Sequence, residues 1–271
     1  MSRLAAMFAH LQQENRAALI PFITAGDPSL TVTVDLMHTL VASGADAIEL
    51  GMPFSDPMAD GPSIQRASER ALARGVKLRM VLEWVREFRR SNPQTPVILM
   101  GYLNPLEAMG MATFAESAAA AGVDAVIIVD LTPEEARNES ALLKAQGIDP
   151  VFLLAPTSGA ARVQTVRALG SGFVYYVSLR GITGAAQSNW EEVLERVRAL
   201  RQDLVLPVAI GFGIRDAETV ARVAQGADAV VVGSALVEKL ADCPDDQTTI
   251  QVARSFIQEL SAAVYAARRV R

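Results

Sequence analysis

Apolar runs of two kinds alternate along the chain. One kind pairs a proline with a short hydrophobic run: IPFIT at 20–24, TPVILM at 95–100, DPVFLL at 149–154 and LPVAI at 206–210. The other kind follows a glycine: GADAIEL at 44–50, GVDAVII at 122–128 and GADAVVV at 226–232 are near copies, and GFVYYV at 172–177 is a looser relative. Together they predict eight strands. Between most of them the apolar residues change to helical spacing. SLTVTVDLMHTLVASG at 29–44 predicts a helix that starts after Asp27-Pro28 and stops at Gly44. The first residues, MSRLAAMFAHLQQEN, also carry apolar positions at helical spacing, broken by His10 and Gln12, which predicts an amphipathic helix and not a secretory signal.

Strands this continuously apolar, alternating with helices, predict a parallel sheet covered on its outer side. Eight such units fit a closed barrel. The predicted fold class is α/β, a (β/α)8 TIM barrel with an extra N-terminal helix and an added helical segment after strand 2, forming a single domain over residues 1–271. In such a barrel alternate strands fill alternate interior layers, which is a physical reason for odd and even strands to look different. Unequal gaps between the proline strands argue against a regular solenoid. A doubly wound open sheet is the alternative, because alternation alone does not require closure.

The copies also sort the acidic residues. Asp46, Asp124 and Asp228 recur just after a helix-ending glycine, at the entrance to their strands, and read as turn residues on the face of the barrel that serves stability. Glu49 is different. Aligning the copies sets it against Ile127, Val231 and, in the looser copy, Tyr175, so a carboxylate occupies a core-strand position that is apolar or aromatic elsewhere. Residues 47, 49 and 51 share one face of the strand. If that face points inward, Glu49 lies near the C-terminal mouth. Burying a carboxylate costs several kcal/mol unless it is paired, neutralised or hydrated. Two readings follow: a desolvated proton carrier with a raised pKa, or one half of a salt bridge across the barrel.

The longest gap between strands separates the second from the third and carries GMPFSDPMADGP and the helical stretch SIQRASERALARG. Long loops after barrel strands build active sites. Pro53, Pro57 and Pro62 stiffen this loop, while Gly51 and Gly61 allow tight bends. Asp56 precedes a proline and reads as a turn acid. Asp60 either caps the helix that begins near Ser63 or projects into the mouth.

Strand seven runs into IGFGI at 210–214 and strand eight into VVGSALV at 231–237. Glycines just beyond these strands let backbone N–H groups approach an anion, and Ser234 is placed to open a short helix whose N-terminus attracts one. That combination matches the phosphate site common to many barrel enzymes. SLRGITGAAQSN at 178–189, after strand six, is long and polar enough for a lid.

Composition narrows the partners. The chain has 271 residues, 51% of them hydrophobic, and a formal net charge of −5, which argues against a nucleic-acid backbone as ligand. None of the apolar runs is long enough to span a bilayer. One cysteine, Cys243, forms no internal disulfide, and with only His10 and His38 beside it no zinc site is recognisable, so no metal is expected and the cytoplasm is the expected compartment.

ELGMPFSDPMADGP resembles the signature of the tryptophan synthase α-subunit family, and PFITAGDP, SLRGITGA, GFGI and GSA fall in that family's order and spacing, so the resemblance covers nearly the whole chain. The resemblance implies retro-aldol cleavage of indole-3-glycerol phosphate to indole and glyceraldehyde 3-phosphate, within tryptophan biosynthesis. It implies Glu49 and Asp60 as catalytic acids, Phe22, Met100 and Phe212 around the substrate, and Tyr175 as an active-site tyrosine. It assigns the phosphate to Thr183, Gly184, Gly213, Gly233 and Ser234. It further implies a β subunit in an α2β2 complex, touched by Pro53, Asp56, Pro57, Asn104 and Asp130, and no cofactor in this chain, with pyridoxal phosphate in the partner. Met52, Met100 and Arg180 depart from the family pattern, and Arg180 bears on how the loop after strand six closes. Another sugar-phosphate barrel enzyme and a non-catalytic activating subunit are the competing readings.

Overall fold

A computed structural model describes residues 2–177, 190–211 and 213–267. Its strands are β1 (Ala18–Thr24), β2 (Ile48–Gly51), β3 (Val97–Gly101), β4 (Ala125–Ile128), β5 (Asp149–Leu154), β6 (Val174–Tyr176), β7 (Val208–Ile210) and β8 (Ala229–Val232). They close into a barrel in chain order, every neighbouring pair parallel. The first strand pairs with the last, Ala18 beside Ala229 through Pro21 beside Val232, which excludes the open sheet. All eight strands fall on the runs expected from the sequence.

Side chains alternate across this wall with period two. Leu19, Ile23, Leu50, Leu99, Val126, Tyr176 and Val230 face outward into a layer shared with the helices. Ala18, Ile20, Ala47, Ile98, Ile127, Tyr175 and Val231 face inward. The N-terminal helix, Arg3–Gln13, closes this interior: its Leu4, Phe8 and Leu11 are buried within the same inner cluster, and the Phe8 ring lies 6.0 Å from that of Phe173. Burial of such side chains contributes roughly 1.5–3 kcal/mol each, which explains why an amphipathic helix outside the repeat belongs to the barrel.

The helix expected over 29–44 begins later, spanning Thr33–Ala42. Ser29 Oγ and Thr31 Oγ1 instead donate to Asp246 at 2.6 and 2.5 Å, and the Val32 N–H donates to Ser29 Oγ at 3.2 Å. Side-chain hydrogen bonds of this kind compete with helix formation. Its end matches expectation: Gly44 has φ +104°, and a Cβ there would sit 2.2 Å from Ser261 Oγ. After β2 the added segment forms two helices, Pro62–Ala73 and Leu78–Arg89.

The recurring aspartates each join two strands at the N-terminal face. Asp46 accepts from the Leu19 N–H at 2.8 Å, Asp124 from the Val97 N–H at 2.8 Å and Asp228 from the Val208 N–H at 2.9 Å. Each also meets an arginine: Arg16 grips Asp46 with two bonds at 2.8 and 2.9 Å, Arg3 and Arg89 lie 2.9 and 2.5 Å from Asp124, and Arg201 lies 3.0 Å from Asp228. One short motif thus fastens an odd strand to the even strand that follows it.

Candidate active site

The C-terminal mouth holds a cavity of about 390 Å³. Its floor is set by register. Phe22 on β1 stands beside Glu49 on β2, and Glu49 beside Ile98 on β3, a row that faces inward. Glu49 is 1% exposed, and its Oε2 has no hydrogen-bond partner among the described residues. Among the described residues Glu49 has no salt-bridge partner, so the expected alternative is not found there. Burial, and secondarily the charge of Asp60, push the Glu49 carboxyl up to about 8. Gly51, two residues on, leaves the space that Phe22 fills, since a Cβ there would lie 2.5 Å from the Phe22 ring.

Asp60 lines the same cavity and does not cap the following helix. Gly61 is the capping residue of Pro62–Ala73, with no side-chain cap. Burial raises the Asp60 carboxyl to about 6, against an opposing hydrogen bond from Tyr102. Tyr102 is a residue that sequence reading missed. It lies just past the end of β3, is 3% exposed, accepts from the Ala59 N–H at 3.1 Å and stacks on Phe54 with ring centroids 5.3 Å apart. Its position after a barrel strand was a usable signal, but it falls outside the repeated motif.

Tyr175 also lines the cavity, as its alignment with Glu49 predicted. Its hydroxyl donates to the Gly211 carbonyl at 3.0 Å, and burial beside Glu49 and Asp60 raises its pKa. Gly211 makes that approach possible: a Cβ there would sit 2.1 Å from the Tyr175 oxygen. Phe22 and Met100 supply apolar wall.

Gly213, Gly233 and Ser234 also line the cavity. Gly213 has φ +73°, a conformation that favours glycine. The helix Ser234–Ala241 starts at Gly233 without a side-chain cap, leaving its N-terminus available to an anion. Thr183, Gly184 and Phe212, with Arg180, lie outside the described residues. Sequence reading also missed four charged or polar lining residues here: Ser63, Arg66, Arg215 and Glu238.

The residues expected at a partner surface cluster on neighbouring loops. Asp56, Asn104 and Asp130 are exposed, and Pro53 and Pro57 are partly so. The Phe54–Tyr102 stack joins the loop after β2 to the loop after β3, and the Leu103 N–H donates to Asp130 Oδ1 at 2.8 Å, joining the next loop. Among the described residues no cluster of three or more His, Cys, Asp or Glu side chains is placed to hold a metal, and no helix is long and apolar enough to cross a membrane. His10 and His38 sit on helices, paired with Glu14 and Ser91, and neither lines the cavity.

Two carboxyl groups at about 8 and about 6 differ in protonation at neutral pH. Such a pair offers one group with a proton to give and one with a charge to set against a cation. An apolar wall between them and an anion-binding helix end suits a flat ring bearing a phosphorylated chain.

Comparison with known proteins places the chain in a family. A family model described as tryptophan synthase alpha chain matches residues 8–265. A tryptophan synthase alpha chain of Acidithiobacillus ferrooxidans is 74% identical over 269 residues, covering 99% of each chain, and one from Cupriavidus pinatubonensis is 56% identical over 264 residues, covering 97% of this chain and 99% of the relative. The crystal structure of tryptophan synthase subunit alpha from Legionella pneumophila superposes with a TM-score of 0.92 at 41% identity, covering 97% of this chain and 98% of that one. A closed barrel matched over nearly its whole length by these relatives makes this chain a member of the tryptophan synthase alpha chain family.

Proposed function

We propose that Glu49 and Asp60 are the catalytic pair with which this chain cleaves indole-3-glycerol phosphate to indole and glyceraldehyde 3-phosphate. The observation that carries the assignment is the buried, unpaired Glu49 oxygen beside a second raised carboxyl. Protonated Glu49 gives its proton to indole C3, and the ring becomes an iminium cation. The resulting carboxylate then takes the proton of the hydroxyl on the carbon attached to C3. The bond between that carbon and C3 breaks, its electrons restore the aromatic ring, and the hydroxyl carbon becomes the aldehyde. Glu49 ends protonated, as it began. Asp60, held by Tyr102, accepts a hydrogen bond from the indole N–H and stabilises the cationic ring; positioned electrostatic groups of this kind are worth about 10²–10³-fold in rate.

Phe22, Met100 and Tyr175 would bound the indole, with Phe212 beside them. The backbone around Gly213, Gly233 and Ser234 would hold the phosphate, with Thr183 and Gly184 contributing from the loop after β6. We read the whole chain as one barrel domain. A β subunit binds the surface of Pro53, Asp56, Pro57, Asn104 and Asp130 in an α2β2 complex; the 84% exposed Met58 beside Pro57 supports a contact there. The chemistry that needs pyridoxal phosphate belongs to that partner, this chain needing no cofactor, and the pair works in the cytoplasm. Purified protein incubated with indole-3-glycerol phosphate should release indole, slowly alone and faster when the β subunit is added. Absence of indole in both conditions would overturn the assignment.

A further inference from the structure

The cavity is lined by the acids Glu49 and Asp60 and by two arginines, Arg66 and Arg215. Glu238 lies with them. It belongs to the helix Ser234–Ala241, and Arg215 follows Gly213 by two residues. Glu238 makes two unequal contacts. Its Oε1 accepts from Ser63 Oγ at 2.6 Å, a short charge-assisted hydrogen bond. Its Oε2 lies 3.6 Å from Arg215 Nη1, too far for a hydrogen bond, and the Arg215 side chain is 65% exposed. The carboxylate is therefore anchored to Ser63, while the guanidinium is only loosely retained.

We propose that Arg215 is a phosphate ligand for which Glu238 competes, and that a dianion draws it from the carboxylate. This rests on the placement of the phosphate at Gly213, Gly233 and Ser234. A dianion there carries more charge than one carboxylate and offers the guanidinium fork two oxygens to grip. It also repels Glu238, which stays bound to Ser63 in the first turn of the helix after Asp60. The retained carboxylate gives selectivity as well. A monoanion has no charge advantage over Glu238 and fails to draw Arg215 away, so the rim discriminates for doubly charged phosphate. Arg66, on the helix Pro62–Ala73, adds positive charge to the cavity lining.

The test uses the full chain with its β partner, inorganic phosphate as the binding probe and indole-3-glycerol phosphate as substrate. Arg215→Ala should raise KM and the phosphate inhibition constant about tenfold, with the loss mainly in KM, and Arg215→Lys should recover part of it. Glu238→Gln should tighten phosphate several-fold, and that gain should shrink in the Arg215→Ala background. If phosphate competes with substrate in the wild type and equally well in Arg215→Ala, the role of Arg215 falls while the phosphate placement stands. If phosphate does not compete in the wild type, the placement falls and the inference with it. Weaker phosphate binding in Glu238→Gln would also overturn the proposal.

Discussion

Asp46, two residues before β2, and Glu49, within it, lie three residues apart and have opposite surroundings. Asp46 is gripped by both arms of Arg16 and by the Leu19 N–H. Glu49 is buried more deeply, yet one of its oxygens meets no donor among the described residues. Asp124 repeats the first pattern and Asp60, raised by burial, leans toward the second. A barrel carboxylate therefore has no fixed meaning by itself. Pairing at the N-terminal face makes it a fastener; desolvation at the C-terminal mouth raises its pKa, and the proposed proton transfer rests on that. The same division of labour between the two faces is general for this architecture.

Substitutions that keep shape but remove charge should separate the two ends. Glu49→Gln should lower indole release by about 10³-fold, within the range lost with a positioned acid–base group. It should at the same time stabilise the protein at neutral and alkaline pH. The reason is linkage: the folded Glu49 carboxyl titrates at about 8 against 4.5 in an exposed chain, so its contribution to stability is complete below 4.5 and is lost as pH rises toward 8. The variant escapes that loss, which amounts to roughly 3 kcal/mol at pH 7. Urea unfolding as a function of pH would measure it; equal stability of both proteins at pH 8 would count against a desolvated Glu49.

Asp60→Asn should cost about 10²-fold in rate with the fold intact. The wild-type rate should show a bell-shaped pH profile with limbs near the values for Asp60, about 6, and Glu49, about 8. The variant should lose the acid limb. Because the Asp60 charge opposes ionisation of Glu49, its removal should also move the alkaline limb to lower pH. A profile of unchanged shape and height would return Asp60 to the role of a loop residue. At the other face, Asp124→Asn should cost about 2 kcal/mol of stability, because it leaves the buried Arg89 without its charge partner. Activity per folded molecule should persist. A large drop in kcat there, at full stability, would erase the distinction between the two ends.

Much of this was legible in the chain because the barrel repeats its own pattern. Three near copies of one strand and a looser relative revealed both the architecture and the anomaly at Glu49, since a repeat supplies its own control positions. Tyr175 was found in the same way. Asp60 lies in a loop with no counterpart in the other units, so local chemistry left it balanced between a helix cap and a site residue; only its burial in the fold and the family resemblance separate the two. Ser63 and Glu238 are 175 residues apart and meet only because two helices converge at the mouth, and no local pattern encodes that meeting. The late start of the helix Thr33–Ala42 has a similar cause, because Ser29 and Thr31 bond to a helix 215 or more residues away. Local capping signals were overruled by tertiary hydrogen bonds.

Glu49 is expected to keep its proton at neutral pH because it is buried and one of its oxygens meets no donor among the described residues. Carboxyl-labelled glutamate in the full chain, followed by carbon NMR across the pH range and assigned by the signal missing in Glu49→Gln, tests this most directly. The predicted midpoint is about 8, moving down in Asp60→Asn. A midpoint near the ordinary 4.5 would contradict it.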